Sequence, residues 1–155
     1  MLQITRDGEY AVRAVLFLAG RAEGALSLIS EISEAQEVPK SYLSKIMQHL
    51  VRAGLVKSRR GARGGFYLAR KPEEITLREA IEAVEGPIFL NVCLIKKGEC
   101  HRDEFCPVHQ VWKEAQKRLF EVLDGKTMAQ LVIDGESLLK KKPKKKSARK
   151  SPASV

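Results

Sequence analysis

Residues 40–71 carry nine basic side chains (Lys40, Lys45, Arg52, Lys57, Arg59, Arg60, Arg63, Arg70 and Lys71) and no acidic one. No other feature narrows the fold so far, because the apolar pattern inside this block changes period. Leu43, Ile46, Met47, Leu50 and Val51 recur at i, i+3, i+4, i+7 and i+8, which predicts a helix over residues 40–53 with one apolar face. Its opposite face, Ser41, Ser44, Lys45, Gln48, His49 and Arg52, is polar and lacks acids. Gly54 stops the helix. Residues 55–59 and 66–70 are then strand-like, and Arg60-Gly61-Ala62-Arg63-Gly64-Gly65 joins them. This is a β-hairpin with a glycine-rich, basic tip. A charge run is ordinarily a solvated face. That reading leaves unexplained why this whole block excludes Asp and Glu while its flanks are acidic, the asymmetry expected of a nucleic-acid surface.

The residues upstream complete a motif. Residues 5–21 read as a helix, with Thr5 as cap and Asp7 and Glu9 in its first turn. Its apolar side chains spread so far round the axis that several neighbours must bury them. Residues 27–36 read as a second helix with Ser27 as candidate cap, broken at Val38-Pro39. Two short helices, a tight turn and a basic second helix make a helix-turn-helix with Ser41 to Arg52 as recognition helix. The hairpin that follows makes it a winged helix. A phosphate-binding loop at the hairpin tip is discounted, since no Lys-Ser/Thr and no helix follow its last glycine.

Beyond the wing, residues 76–85 predict a short helix with a Thr76/Glu79 capping box. The stretch 93–109 holds all three cysteines, Cys93, Cys100 and Cys106, and two of the three histidines, His101 and His109. Soft sulfur and imidazole donors crowded into one polar segment suggest a metal or cluster site. A long helix is expected from about residue 104 to 123. Its stripe Val108, Val111, Trp112, Ala115, Leu119, Val122 and Leu123 suits either a core or, preferably, a dimer seam. Thr127 caps a last short helix. Residues 139–155 are nearly devoid of apolar side chains, with eight basic residues between 140 and 150 and no acid, and are expected to be disordered.

Composition narrows the function classes. The net charge of +9 resides in the two basic blocks, since the remainder holds eleven basic and nineteen acidic residues. A length of 155 residues fits one domain, or one with an appended arm. No apolar run is long enough to span a membrane and no secretory pattern opens the chain, so a cytoplasmic location is expected. An odd cysteine count in a reducing compartment favours thiolates available for a metal over a disulfide framework. Outside the cysteine segment there is no nucleophile-base-orienter set and no cofactor fingerprint, so an enzyme is not expected.

Several local runs together resemble one family. Ile4-Thr5, residues 9–14 (Glu-Tyr-Ala-Val-Arg-Ala), Ser41-Tyr42-Leu43, Gly54-Leu55-Val56, Arg60-Gly61 through Gly64-Gly65-Phe66-Tyr67-Leu68 and the three-cysteine segment are similar, in order, to the IscR/NsrR family of winged-helix transcription regulators, the Rrf-two family. The likeness covers roughly residues 1–138 and omits the lysine-rich tail. It implies a mainly α fold: a winged helix-turn-helix DNA-binding domain over 1–86, a sensor segment and dimerisation helix over 87–138, and a tail over 139–155. It also implies a homodimer on a palindromic operator, with one iron–sulfur cluster per subunit. Cys93, Cys100 and Cys106 match the family's three cysteines. His109 matches the fourth ligand of the IscR-like branch, and Glu9, supplied by the partner subunit, that of the NsrR-like branch. A two-iron, two-sulfur cluster is favoured over a four-iron one. Zinc in a Cys3His set, or thiols without metal, stay open. The expected output is regulated transcription, mainly repression, in response to iron–sulfur status, oxygen or nitric oxide. Ser41, Tyr42, Ser44, Lys45, Gln48 and His49 would meet bases or phosphates in the major groove, and Arg59, Arg60 and Arg63 would act from the wing. A redox or metal-carrying protein that binds DNA only non-specifically is the rival.

Overall fold

Thr5 opens the first helix, α1 (Arg6–Ala19), from an extended backbone. Its hydroxyl accepts hydrogen bonds from the backbone N–H of Asp7 (3.2 Å) and Gly8 (3.5 Å), and Asp7 and Glu9 sit at the positive end of the helix. The computed structural model describes residues 4–95, 98, 100–102 and 104–141. Around α1 pack α2 (Ile29–Gln36), α3 (Lys40–Arg52), α4 (Leu77–Glu85) and α6 (Met128–Lys141), while α5 (Pro107–Asp124) packs outside them on α4. Ala11, Ala14, Val15 and Leu18 of α1, Ile32 of α2, and Leu43, Ile46, Met47 and Leu50 of α3 are buried in one cluster. Each large side chain so buried contributes about 1.5–3 kcal/mol. Among the described residues no helix is long and apolar enough to cross a membrane.

The helix-turn-helix and its wing are present, with a difference at the start of the second helix. The second helix starts at Ile29, after Leu28, and Ser27 does not cap it. Ser27 is fully buried, and its backbone exchanges two 2.9 Å hydrogen bonds with Phe66. The long-range bridge prevails over the local cap, because it satisfies two buried backbone groups that the cap would leave unpaired. The start of α2 is instead held by Glu31, whose carboxylate accepts the Leu28 N–H at 2.7 Å. The wing pairs β1 (Val56–Arg59) with β2 (Gly65–Leu68), antiparallel, with Val56 opposite Leu68 and Arg59 opposite Gly65.

The two later helices also differ in extent. Helix α5 begins at Pro107, not near residue 104. Proline is suited to the first helical position and disfavours helical backbone at the preceding Cys106, which is extended, so the helix starts at Pro107. Helix α6 runs past the expected short helix to Lys141, because lysine is a good helix former and favours the negative end of the helix. The expected disordered tail therefore begins with helical residues 139–141, and residues 142–155 lie outside the described ones. Leu77 N–H to Lys126 O (2.9 Å) and Met128 N–H to Ile75 O (2.8 Å) join the starts of α4 and α6. The capping box of α4 is formed as expected: Glu79 N–H reaches the Thr76 hydroxyl (3.2 Å) and Thr76 N–H reaches the Glu79 carboxylate (2.9 Å). Burial pushes the Glu79 carboxyl up, but the Thr76 N–H and the Arg70 guanidinium at 2.6 Å outweigh it and hold it below 4.5. The stability from this box is therefore fully present above about pH 4.5 and is lost as pH falls through the lowered value.

Two backbone positions have opposite requirements. Gly65 has φ 153°, and a Cβ there would lie 2.8 Å from the Ser27 carbonyl oxygen. Glu37, in the helix-turn-helix turn, has φ 53° without being glycine. Gly65→Ala should destabilise by about 1–3 kcal/mol, and Glu37→Gly should stabilise by about 0.5–1 kcal/mol. Urea denaturation of the two variants tests both signs.

Candidate functional site

Burying Leu43, Ile46, Met47 and Leu50 leaves the other side of α3 facing out. Ser41, Tyr42, Ser44, Lys45 and Gln48 are exposed there, and His49 is half-buried. The Ser44 hydroxyl donates to the Lys40 carbonyl (2.9 Å), so only its oxygen lone pairs face outward. Tyr42 meets Tyr10 of α1 edge to face, with ring centroids 6.4 Å apart. The Arg13 guanidinium lies over Tyr10, pairs with Glu9 and donates to the Gln36 carbonyl at the end of α2 (3.2 Å). This cluster fixes where the recognition helix starts. On the wing Arg59, Arg60 and Arg63 are all exposed, and Arg59 donates to the Arg63 carbonyl (3.1 Å), which shapes the tip. All nine residues expected to read DNA thus lie on one helix face and the adjoining hairpin.

The cysteine segment leaves the core at Gly86. Cys93 lies in a 3-10 turn, Val92–Leu94, that packs on α5. Cys106 is the residue before Pro107, and His109 N–H donates to its carbonyl at 3.2 Å. Cys93 and His109 line one cavity of about 920 Å³ along α5, together with Gln116, Phe120 and Asp124. Cys100 and Cys106 are half-buried and do not line it, and His101 is exposed as expected. Glu9 is exposed on α1 and engaged with Arg13. Three thiols and an imidazole are the donors that an iron–sulfur cluster or zinc takes. The donor set fits in kind and is half gathered: among the described residues no three His, Cys, Asp or Glu side chains come together around one point.

Three side chains that the sequence did not single out connect this segment, α5 and α4 to one another. Glu82 of α4 accepts the Ile88 N–H (3.0 Å), and Gln116 of α5 accepts the Leu90 N–H (3.0 Å). Arg78 of α4 donates to Asp124 (2.8 Å) and lies 4.3 Å from the centre of the Phe120 ring. Nothing local marks these partners, which are separated by 26 and 46 residues in the second and third cases. On α5 the apolar stripe divides. Ala115, Leu119 and Leu123 are half-buried, while Val108, Val111, Trp112 and Val122 are exposed, and no residue of the helix is buried.

Comparison with known proteins places this arrangement. The Rrf2 family profile, described as an iron-dependent transcriptional regulator, matches residues 4–134. The chain is 36% identical over 135 residues to the HTH-type transcriptional regulator IscR of Aliivibrio salmonicida (strain LFI1238), covering 87% of this chain and 80% of that protein. Its structure is similar to T. potens IscR, with a TM-score of 0.70 and 32% identity over 88% of this chain and 90% of that one. It is also similar to CymR (YrzC), the global cysteine regulator of B. subtilis, with a TM-score of 0.71 and 28% identity over 86% and 98%.

The Arg78 contact is testable on its own. Arg78→Ala and Asp124→Ala should each destabilise the fold, and their double-mutant cycle should give a coupling of about 0.5–1 kcal/mol. Arg78→Lys should restore only part, because it loses the planar stack on Phe120.

Proposed function

The chain belongs to the Rrf2 family of transcriptional regulators, and on that premise we propose that its DNA binding is controlled by an iron–sulfur cluster. It acts mainly as a repressor, in the cytoplasm, in response to iron–sulfur status, oxygen, redox state or nitric oxide. The observation that carries this reading is the cavity shared by Cys93 and His109 beside α5. Cys93, Cys100, Cys106 and His109 would hold the cluster, a two-iron, two-sulfur one being favoured by the histidine. Glu9 of the partner subunit is the alternative fourth ligand, and it would have to leave Arg13 to serve. When bound, the cluster supplies a group whose gain, loss or modification depends on oxidant and iron supply.

The chain's own residues do the rest. Drawing Cys100 and Cys106 toward Cys93 and His109 would change how the cysteine segment meets the start of α5. Exposed Val108, Val111, Trp112 and Val122 support α5 as the seam of a homodimer, since a stripe of this size in water favours a partner. Two-fold pairing would set the spacing of two recognition helices against a palindromic operator. In each, Lys45 and the wing arginines Arg59, Arg60 and Arg63 would bind phosphates. Ser41, Tyr42, Ser44, Gln48 and His49 would face base edges, Gln48 being suited to a bidentate contact with adenine.

A second reading is a regulator without a cluster, using zinc or the thiols themselves. It is favoured by the incomplete gathering of ligands among the described residues. One preparation separates the two. Purified anaerobically, the protein should be coloured and contain iron and sulfide, and Cys100→Ala should be colourless. A Cys100→Ala protein with unchanged iron sinks the cluster, and zinc or no metal in the parent protein supports the second reading. On DNA selected from a random duplex pool, Lys45→Ala should weaken binding to all sequences alike and lower the salt slope by about 1. Gln48→Ala should instead cost about 1–3 kcal/mol at one base position.

A further inference from the structure

We propose that Gln116 is a positioning residue through which the state of the sensor site sets the pose of the recognition helix. The inference rests on the sensing role given above. Helix α4 ends at Gly86, and residues 87–91 cross from it to the turn that holds Cys93. Ile88 and Leu90 donate their N–H groups to side chains, at Glu82 on α4 and Gln116 on α5. Backbone donors in a part-buried crossing need such acceptors, so these two side chains decide where the crossing lies. The Glu82 contact spans six residues and is a local helix-end contact. The Gln116 contact spans 26 residues and joins two elements, which is why the inference rests on it.

Gln116 also stands at the sensor site itself. It lines the same cavity as Cys93 and His109, and its partner Leu90 lies three residues before Cys93. Further along α5, Asp124 and Phe120 hold Arg78 of α4. Helix α5 is thus attached to α4 at its C-terminal end, while its N-terminal end carries Cys106 and His109. A shift of α5 at Cys106 and His109 would be passed through Gln116 to the crossing at Leu90, and from the crossing through Glu82 to α4. Helix α4 packs on both α1 and α3, so its shift moves the helix that faces DNA. Coupling of this kind needs one element with two arrangements that both sites bias, and the crossing is the segment attached to both.

The test uses the full chain, with Gln116→Leu, which removes the acceptor at similar size, and Gln116→Glu, which keeps an acceptor oxygen. Each is prepared with and without Cys100→Ala. Three quantities are read: iron and sulfide per chain, amide exchange at Leu90, and the ratio of operator affinities between the cluster-loaded protein and its Cys100→Ala form. Gln116→Leu should load normally, exchange the Leu90 amide about 5-fold faster, and bring the affinity ratio at least about 5-fold closer to one. Gln116→Glu should keep both the protection and the ratio. A Gln116→Leu protein with the parent ratio overturns the proposal, as does one that fails to load, since Gln116 would then build the site and not transmit its state. A parent protein whose loaded and Cys100→Ala forms bind DNA equally overturns the sensing role itself, before any Gln116 variant is made.

Discussion

The close approach of α1 to its neighbours is the constraint on which the remaining structure depends. Gly8, Ala11 and Ala14 are buried on α1, and α4, α3, α2 and α6 all pack against it. A Cβ at Gly8 would stand 2.4 Å from the Glu85 carboxylate and 2.8 Å from Ile4. That carboxylate accepts from both the N–H (2.9 Å) and the hydroxyl (2.6 Å) of Thr5. Small side chains on one helix therefore set the separation of two others: α3, which presents the basic face, and α4, which leads into the cysteine segment. Because packed interiors are dense, a displacement of α4 cannot be absorbed locally and must shift what it touches.

The two halves of the molecule are held by different balances of apolar burial and polar contact. The winged helix is joined by apolar burial, with Leu43, Ile46, Met47 and Leu50 inaccessible to water. The cysteine segment and α5 are attached more lightly, by the half-buried Leu119 and Leu123 where α5 packs on α4 and by the polar contacts of Glu82 with Ile88 and Arg78 with Asp124, while Gln116 to Leu90 holds the segment to α5. A hydrogen bond contributes a net 0.5–1.5 kcal/mol or so, far less than a core of buried side chains. Such attachments can rearrange without unfolding the winged helix. The exposed apolar side chains of α5 are left out of the core and fit the seam of the proposed dimer.

Local regularity made much of the fold legible. Thr5 capping α1, the Thr76/Glu79 box opening α4, Gly54 ending α3 and the hairpin of residues 56–68 follow from capping chemistry and from periods of 3.6 and 2, which any short window contains. One departure from the local pattern came where a distant partner overruled a local preference. Ser27 satisfied its backbone with Phe66 instead of capping α2. At α5 the error was local, since Pro107 could not tolerate a helical residue before it. In the candidate site, the donor types and the basic face were readable from residue identity, because sulfur, imidazole and guanidinium have few structural uses when clustered.

By itself the sequence determined that an acid-free block would form a helix with one outward basic face, followed by a basic hairpin, and that three thiols and a histidine would lie on one segment. These are consequences of side-chain chemistry and spacing, and no other part of the chain has to be known to derive them. Only the tertiary structure decided that Cys93 and His109 share a cavity while Cys100 and Cys106 stand apart from it. It also decided that Gln116, Glu82 and Arg78 attach that cavity to the helix beside α1 and α3. A single polar side chain accepting one N–H from a remote residue leaves no period and no motif. Its partner exists only once α1 has brought α4 and α5 to their places.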